Sequence, residues 1–485
     1  MRKMNKIIVI TICALLLITM IYHRVKPLPE GISYASDIVE LSEDEVEFLA
    51  DVTYQKDGKE IVDHTIFNEI TQAIQSAEHF IILDLFLVNS YSNGERDYPT
   101  ISSDLSKALL KQLENHPDLK VIFITDHINT TYGSHIAEEI APLEKMGAEI
   151  VYTDLNQLRD PNILYSGLWR TLFQWFGQEG TGWLPNPMAN SAPNVTLRSY
   201  LKLLNIKANH RKVVITEDAG YILSANPHDA SGFHSNIGFK VKGEILFDMI
   251  QAERAVAAFS NGDLSHFPTE EELERWIQKS SLPKGDNKKL LAQILTEGKV
   301  RDALVEALVS SEKGDTIWIG MFYLADRDIL QGIHTAAQNE ASIKIILDPN
   351  QNAFGQQKMG LPNLPIASEL MELNDSHIDI RWYNTNKEQY HTKLFYKQSK
   401  DQHTIIGGSS NFTSRNLDDY NLEEDIKIVT SPSSMLSAEV EHYFSMLWNN
   451  EGGEFTTEYD TYQDSLPVFK YILYWLQKVF QVTTY

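Results

Sequence analysis

One short pattern occurs twice in this chain and restricts its fold more than any other feature. The first copy, Asn209-His210-Arg211-Lys212-Val213-Val214-Ile215-Thr216, runs through a turn into Leu223-Ser224-Ala225-Asn226. The second, Tyr390-His391-Thr392-Lys393-Leu394-Phe395-Tyr396, is followed by Gly407-Gly408-Ser409-Ser410-Asn411. Each reads as an apolar strand, a polar turn and a second strand ending in Ser-x-Asn. Side chains alternate along a strand, so a histidine and a lysine two apart share a face, as do the serine and the asparagine. Each hairpin gathers an imidazole, an ammonium, a hydroxyl and an amide around one point. Two such hairpins side by side supply what cleavage of a phosphodiester without a metal requires.

The segments before each hairpin alternate helical and strand patterns, which points to an α/β sandwich. In the first half, a helical run from Thr65 to His79 precedes buried strands at Phe80–Val88 and Val121–Ile124, and Glu149–Tyr152 follows. The second half repeats this in shorter form, with a helix at Arg301–Leu308 and strands at Thr316–Phe322, Ser342–Leu347 and Ile378–Trp382. The domain reading is a first domain over residues 60–280, a second over 290–455, and a boundary in the polar stretch 280–289. Residues 27–59 read as an acidic tether. Thr269-Glu270-Glu271-Glu272 reads as a helix N-terminus with a capping box.

Residues 163–204 interrupt the first half. Leu164, Leu168, Leu172 and Trp175 share one helical face, as either a core-packing helix or an amphipathic helix at a membrane interface. Residues 180–193, rich in Gly, Pro and Asn, read as a loop near the site. The N-terminus (residues 1–26) carries Arg2, Lys3 and Lys6 before an uncharged stretch from Ile7 to Tyr22, which reads as an uncleaved membrane anchor or a signal segment. Its positive flank favours an N-terminus in the cytoplasm and an exported body. Residues 466–485 form an amphipathic pattern, read as a docked helix or a second membrane contact. Cys13, the single cysteine, lies inside the apolar run, so no internal disulfide forms.

Sixty-six acidic residues against 42 basic give a formal charge of −24, a field that repels nucleic acid. A membrane and a phospholipid substrate fit the composition better. His228 and His234 lack the helical His pair or carboxylate set of a zinc site and read as lining the loop after the first hairpin. No metal or other cofactor is expected.

The chemistry follows from the residue types. Lys212 and Lys393 would neutralise the nonbridging oxygens of a phosphodiester, and Ser224, Asn226, Ser409 and Asn411 would donate hydrogen bonds to them. A neutral imidazole can attack phosphorus and hold a covalent intermediate. The second, protonated, can donate to the leaving alkoxide and then take a proton from the acceptor. Each ring needs its other nitrogen held; Glu423 is the candidate for one, and Asn236, uncharged, stands at the comparable place in the other half.

The hairpins resemble the duplicated HKD motifs of the phospholipase D superfamily, His-x-Lys-x4-Asp followed by Gly-Ser-x-Asn. The resemblance extends over residues 60–450, including Leu347-Asp348-Pro349-Asn350 and Asn421-x-Glu423, and is nearest to bacterial phospholipase-D-like and cardiolipin-synthase-like proteins. It implies two pseudo-symmetric α/β domains, one site between them, a phosphohistidine intermediate and no metal. It also implies His210 as nucleophile and His391 as acid and base. The motif Asp falls at Glu217 in the first copy, with Asp218 adjacent, and at Gln398 in the second, while Leu223 replaces the motif glycine. The expected activity is phosphatidyl transfer to water or to another alcohol at a membrane; the competing readings are a nuclease of the same superfamily and a noncatalytic lipid-binding envelope protein.

Overall fold

The computed structural model describes residues 2–465 apart from 95, 178–179, 278–288 and 354–355, together with 472 and 474–476. Its scaffold is a pair of mixed sheets. The first runs Lys59–Asp63, Val46–Lys56, Asn236–Val241, Gly220–Leu223, Lys212–Thr216, Phe80–Leu85, Lys120–Thr125, Glu149–Tyr152. The second runs Val39–Leu41, Leu290–Thr296, Glu424–Thr430, His403–Gly408, Lys393–Gln398, Thr316–Met321, Ser342–Leu347, Ile378–Tyr383, Thr456–Glu458.

Seven strands of each sheet correspond in order and direction, from Val46–Lys56 to Glu149–Tyr152 and from Leu290–Thr296 to Ile378–Tyr383. In both, the last three are parallel and the rest antiparallel. The inner parallel strands Phe80–Leu85, Lys120–Thr125 and Thr316–Met321 are near-continuous apolar runs, as burial on both faces demands. Helices Ile66–Ser76 and Ile101–Asn115 close one outer core, and Gly298–Val309 and Arg327–Gln338 the other. A third core cluster draws on both halves, including Phe239, Ile294, Ile405 and Val440. The duplicated α/β architecture is thus present.

Residues 27–59 are not a tether. Val39–Leu41 pairs with Leu290–Thr296, and Val46–Lys56 pairs with Asn236–Val241. Val46 and Val52 face one core and Leu49 the other, so this strand is buried on both faces and lacks the period-two alternation that would mark it. The expected boundary at 280–289 falls almost wholly outside the described residues, as does most of the expected C-terminal helix, of which 472 and 474–476 are helical. The capping box at Thr269 forms, with Glu272 accepting from the Thr269 N–H at 2.8 Å.

Helix Arg2–Val25 holds a span, Met4–Val25, that is long and apolar enough to cross a membrane. Its end packs on Ile163–Leu168, where a Cβ at Gly167 would lie 2.4 Å from Met20 Cγ. Along residues 163–204, Trp169 is buried while Leu164, Leu168, Leu172, Trp175 and Phe176 are exposed. The core-packing alternative therefore fails for that face.

Candidate active site

The site forms where the two hairpins meet. His210 and His391 stand just before strands Lys212–Thr216 and Lys393–Gln398. Each is fixed by the opposite half of the chain: Asn209 bridges Leu422, and Tyr390 bridges Ser235, in parallel register. The residues one step further on, Glu423 and Asn236, therefore reach across to the rings. His210 Nδ1 lies 2.9 and 3.0 Å from the Glu423 oxygens. His391 Nδ1 lies 3.1 Å from Asn236 Oδ1. A proton on each Nδ1 leaves Nε2 free for chemistry.

The two holders differ in charge. Glu423 also accepts from Ser409 Oγ at 2.5 Å and from Asn416 Nδ2. Asn236 Oδ1 accepts from Ser224 Oγ at 3.1 Å, and its amide donates to the His234 carbonyl at 3.0 Å, which sets its orientation. Burial pushes Glu423 up to about 8 despite Lys212, and burial with Lys212 and Lys393 holds His210 well below its ordinary range.

Ser224 and Ser409, expected as donors to phosphate, instead fasten Asn236 and Glu423. The Ser224 hydroxyl also accepts from Ile237 N, and that of Ser409 from Glu424 N. Lys212 and Lys393 are fully buried, each ammonium donating to the carbonyl of its own histidine at 2.6 Å. Each also lies over a phenylalanine ring, Phe86 at 5.4 Å and Phe322 at 5.1 Å, which in turn flanks His210 or His391. Neither lysine lines the cavity; each stands behind its histidine and the phenylalanine that flanks it.

Asn226 and Asn411 line the cavity, and each has a buried Oδ1 without a partner among the described residues. The cavity measures about 370 Å3 and contains both His210 and His391 in its wall. Gln389, Asn416, Asn421, Lys207 and Arg415 add to its polar lining, while Phe86, Leu87, Ile128, Met188, Leu203 and Leu204 form an apolar wall. Met188 comes from the expected loop and Leu203 from the insertion, so residues 163–204 do reach the site.

Glu217 is remote from the reaction. It accepts from the backbone N–H groups of Glu78 at 2.5 Å and His79 at 3.0 Å, capping the entry to strand Phe80–Leu85. Gln398 accepts from Trp318 Nε1 at 3.3 Å. Asp218 sits in the hairpin turn, its N–H donating to Thr216 Oγ1. His228 is held between Ser231 Oγ and the Tyr91 carbonyl, each 2.9 Å away.

Two buried carboxylates do equivalent work in the halves. Asp126 accepts from Asn209 N at 2.8 Å and Asp348 from Tyr390 N at 2.7 Å, in each case the residue before the histidine. Asp348 belongs to the quoted motif, but Asp126 does not; its signal is the match of Asp126-His127-Ile128-Asn129 to Asp348-Pro349-Asn350 after a strand. The halves differ beneath this point. Asp84 cradles the Asn209 amide at 2.7 Å, whereas the equivalent Gly320 leaves room for Tyr390, whose hydroxyl would meet a Cβ there at 2.4 Å.

Arg211 points away from His210 and Lys212, as strand alternation requires, and is fully buried. It meets Glu297 at 2.8 Å, Glu253 at 3.4 Å and Glu424 at 3.6 Å. Glu297 also accepts from the Glu423 N–H at 3.1 Å, tying this cluster to the His210 partner. Close to His391, His234 Nδ1 accepts from Gln389 N at 3.2 Å, and its buried Nε2 has no partner among the described residues. No group of three or more His, Cys, Asp or Glu side chains is placed to hold a metal among the described residues.

Residues 304–448 match the family model described as cardiolipin synthase, PLD-like domain. The fold resembles the crystal structure of phosphatidylserine synthase from Haemophilus influenzae Rd KW20, with a TM-score of 0.59 and 13% identity over 94% of this chain and 95% of that one. Polyphosphate kinase from Porphyromonas gingivalis aligns at a TM-score of 0.44 and 10% identity, over 96% of this chain and 58% of that one, too distant to bear on the fold. No curated protein matches the sequence. Residues 304–448 are thus similar to a cardiolipin-synthase PLD-like domain, and the chain as a whole shares the fold of that phosphatidylserine synthase.

Proposed function

We propose that the protein is a membrane-associated enzyme that transfers the phosphatidyl group of a phospholipid through a phosphohistidine. The observation that carries this reading is one cavity with both imidazoles at its polar end and an apolar wall leading from them. A diester phosphate fits the polar end and an acyl chain the wall.

In this mechanism His210 Nε2 attacks phosphorus while its Nδ1–H stays on Glu423. The P–O bond to the leaving alcohol breaks, and protonated His391 gives that oxygen its proton. His391, now neutral, takes the proton of water or an acceptor alcohol, whose oxygen displaces His210 from phosphorus. Lys212, Lys393 and the amides of Asn226 and Asn411 offset the charge gathering on the nonbridging oxygens. Water yields phosphatidic acid; a lipid alcohol yields a new phosphodiester. The carboxylate behind His210 favours it as nucleophile, since the pair keeps Nδ1 protonated as charge develops on the ring. The basic N-terminal flank supports an enzyme held by its anchor with the body on the extracytoplasmic face.

The test is incubation with phosphorus-labelled phospholipid followed by a search for an acid-labile, alkali-stable label on the protein. His210→Asn should abolish the label; His391→Asn should lower it with a phospholipid donor and let it accumulate with a p-nitrophenyl phosphodiester donor, whose leaving group needs no acid. Label on His391 alone would reverse the roles. Cleavage of single-stranded DNA in preference to phosphatidylglycerol vesicles would replace this reading with that of a nuclease.

A further inference from the structure

Next to the catalytic cavity lies a second one of about 430 Å3, lined in part by His127, Tyr132, Asp154, Asn156, Trp169 and Lys202. Tyr132 belongs to the walls of both. Its charged lining residues are Lys202 and Asp154, and three further cations lie behind the wall at Asn156 and Asp160. Lys202 is 8% exposed; its ammonium donates to Asn156 Oδ1 at 2.6 Å and lies 4.2 Å from the centre of the Trp169 ring. Lys26, the residue after the anchor helix, donates to the Asn156 carbonyl at 2.6 Å. Arg170 donates to the same carbonyl at 3.0 Å and pairs with Asp160 at 2.9 Å. Lys207 pairs with Asp160 at 2.7 Å.

Four cations therefore crowd one turn, and the single buried carboxylate among them, Asp160, is already shared by Arg170 and Lys207. Asp154, on the cavity wall, accepts from its own turn, from Asn156 N at 3.0 Å and Gln157 Nε2 at 3.1 Å. Lys26 and Lys202 have no carboxylate partner among the described residues. Buried charge without a counter-ion is costly. Burial, reinforced by Lys207 and Arg170, brings both lysines down to about 7. An anion placed among them would relieve this strain, and the cavity at Lys202 has room for one.

We propose that this second cavity binds a phosphate group, carried by an anionic phospholipid that lies beside the reacting one. Its place at the end of the anchor helix, on the insertion that exposes Leu164, Leu168 and Leu172, sets it at the level of lipid head groups. The shared wall at Tyr132 makes such a lipid a suitable acceptor. The inference rests on the lipid reading above only for what carries the phosphate; the anion site stands on its own geometry.

The test uses the full chain in neutral detergent and follows thermal unfolding. Dioctanoyl phosphatidylglycerol, inorganic phosphate and dioctanoylglycerol are titrated in turn against wild type, Lys202→Gln, Lys202→Arg and His210→Asn. Phosphatidylglycerol should raise the Tm of wild type, Lys202→Arg and His210→Asn, and Lys202→Gln should need at least tenfold more of it. An equal rise with inorganic phosphate would assign the site to the free anion. A Lys202→Gln response like wild type, or no response of wild type to either anion, would overturn the proposal. If Lys202→Gln does not fold, Lys26→Gln is read by the same criteria. Loss of lipid turnover with a persistent Lys202-dependent shift would sink the catalytic reading and leave the anion site standing.

Discussion

The backbone N–H of His210 donates to the carbonyl of Leu422, 2.9 Å away and in the other half of the chain. His391 N–H does the same with the Ser235 carbonyl, at 2.8 Å. Each imidazole is therefore oriented by two sheets, its backbone and its Nδ1 both held by the half that does not encode it. Neither half can assemble a working site alone.

Glu423→Gln should lower kcat by about 10²–10⁴-fold, since it removes the charge that steadies His210 during attack. Asn236→Ala should cost less, because the holder it deletes is neutral. Turnover of a soluble diester such as bis(p-nitrophenyl) phosphate measures both. Equal losses would mean that the two rings are chemically equivalent.

Burial, with Lys393 and His234, holds free His391 well below its ordinary value of 6.5. The acid required for leaving-group protonation is thus lost as pH rises through that lowered value, and kcat/KM should decline from below pH 6.5. A bound phosphate anion favours the protonated ring, so the alkaline limb of kcat should lie at higher pH. Parallel pH profiles of kcat and kcat/KM will show the displacement, and coincident limbs would remove His391 from the acid's role.

Glu217→Ala should destabilise the fold by about 1–3 kcal/mol, because the backbone donors of Glu78, His79 and Phe80 lose their acceptor. Enzyme that remains folded should keep kcat within about twofold, Glu217 being no part of the cavity wall. Chemical denaturation beside the diester assay separates the two effects.

Burial raises Glu253 to about 8 and Glu424 to about 7 even beside Arg211. The folded chain then keeps protons that the unfolded chain releases, so these groups lower stability as pH rises from 4.5 toward 8. Glu253→Gln should gain on wild type across that window, by about 1.4 kcal/mol at most for each pH unit. Tm against pH for the two proteins is the measurement; a constant difference would exclude a protonated Glu253.

Trp175 is 74% exposed and Phe176 65% exposed, beside the anchor. Replacing both by serine should raise KM for vesicle lipid and leave the soluble diester untouched. Unchanged vesicle kinetics would remove these rings from membrane contact.

The hairpins, the parallel apolar strands and the Glu423 and Asn236 positions were legible because they rest on local alternation and short spacing. The role of Ser224 and Ser409 was not, since their hydroxyls turn toward residues 14 or fewer positions away that only strand pairing brings alongside. Strand Val46–Lys56 was hidden because its partner, Asn236–Val241, lies across most of the first half. Asp126 escaped notice for a related reason: its use is to hold Asn209 N, a contact that no periodicity announces. Arg211 carries no local signal of its partners, since Glu253, Glu297 and Glu424 are brought around it only by the folded chain.

At the groups that hold the imidazoles the near-dyad arrangement is broken, glutamate on one side and asparagine on the other. A perfectly even pair of imidazoles would accept the phosphoryl group from either direction and dock its substrate in two opposed poses. Under the proposed transfer reaction, one carboxylate distinguishes the two imidazoles and so gives the cleft a front and a back. Asn236→Asp would restore the lost equivalence, and its cost would be paid in direction rather than in speed.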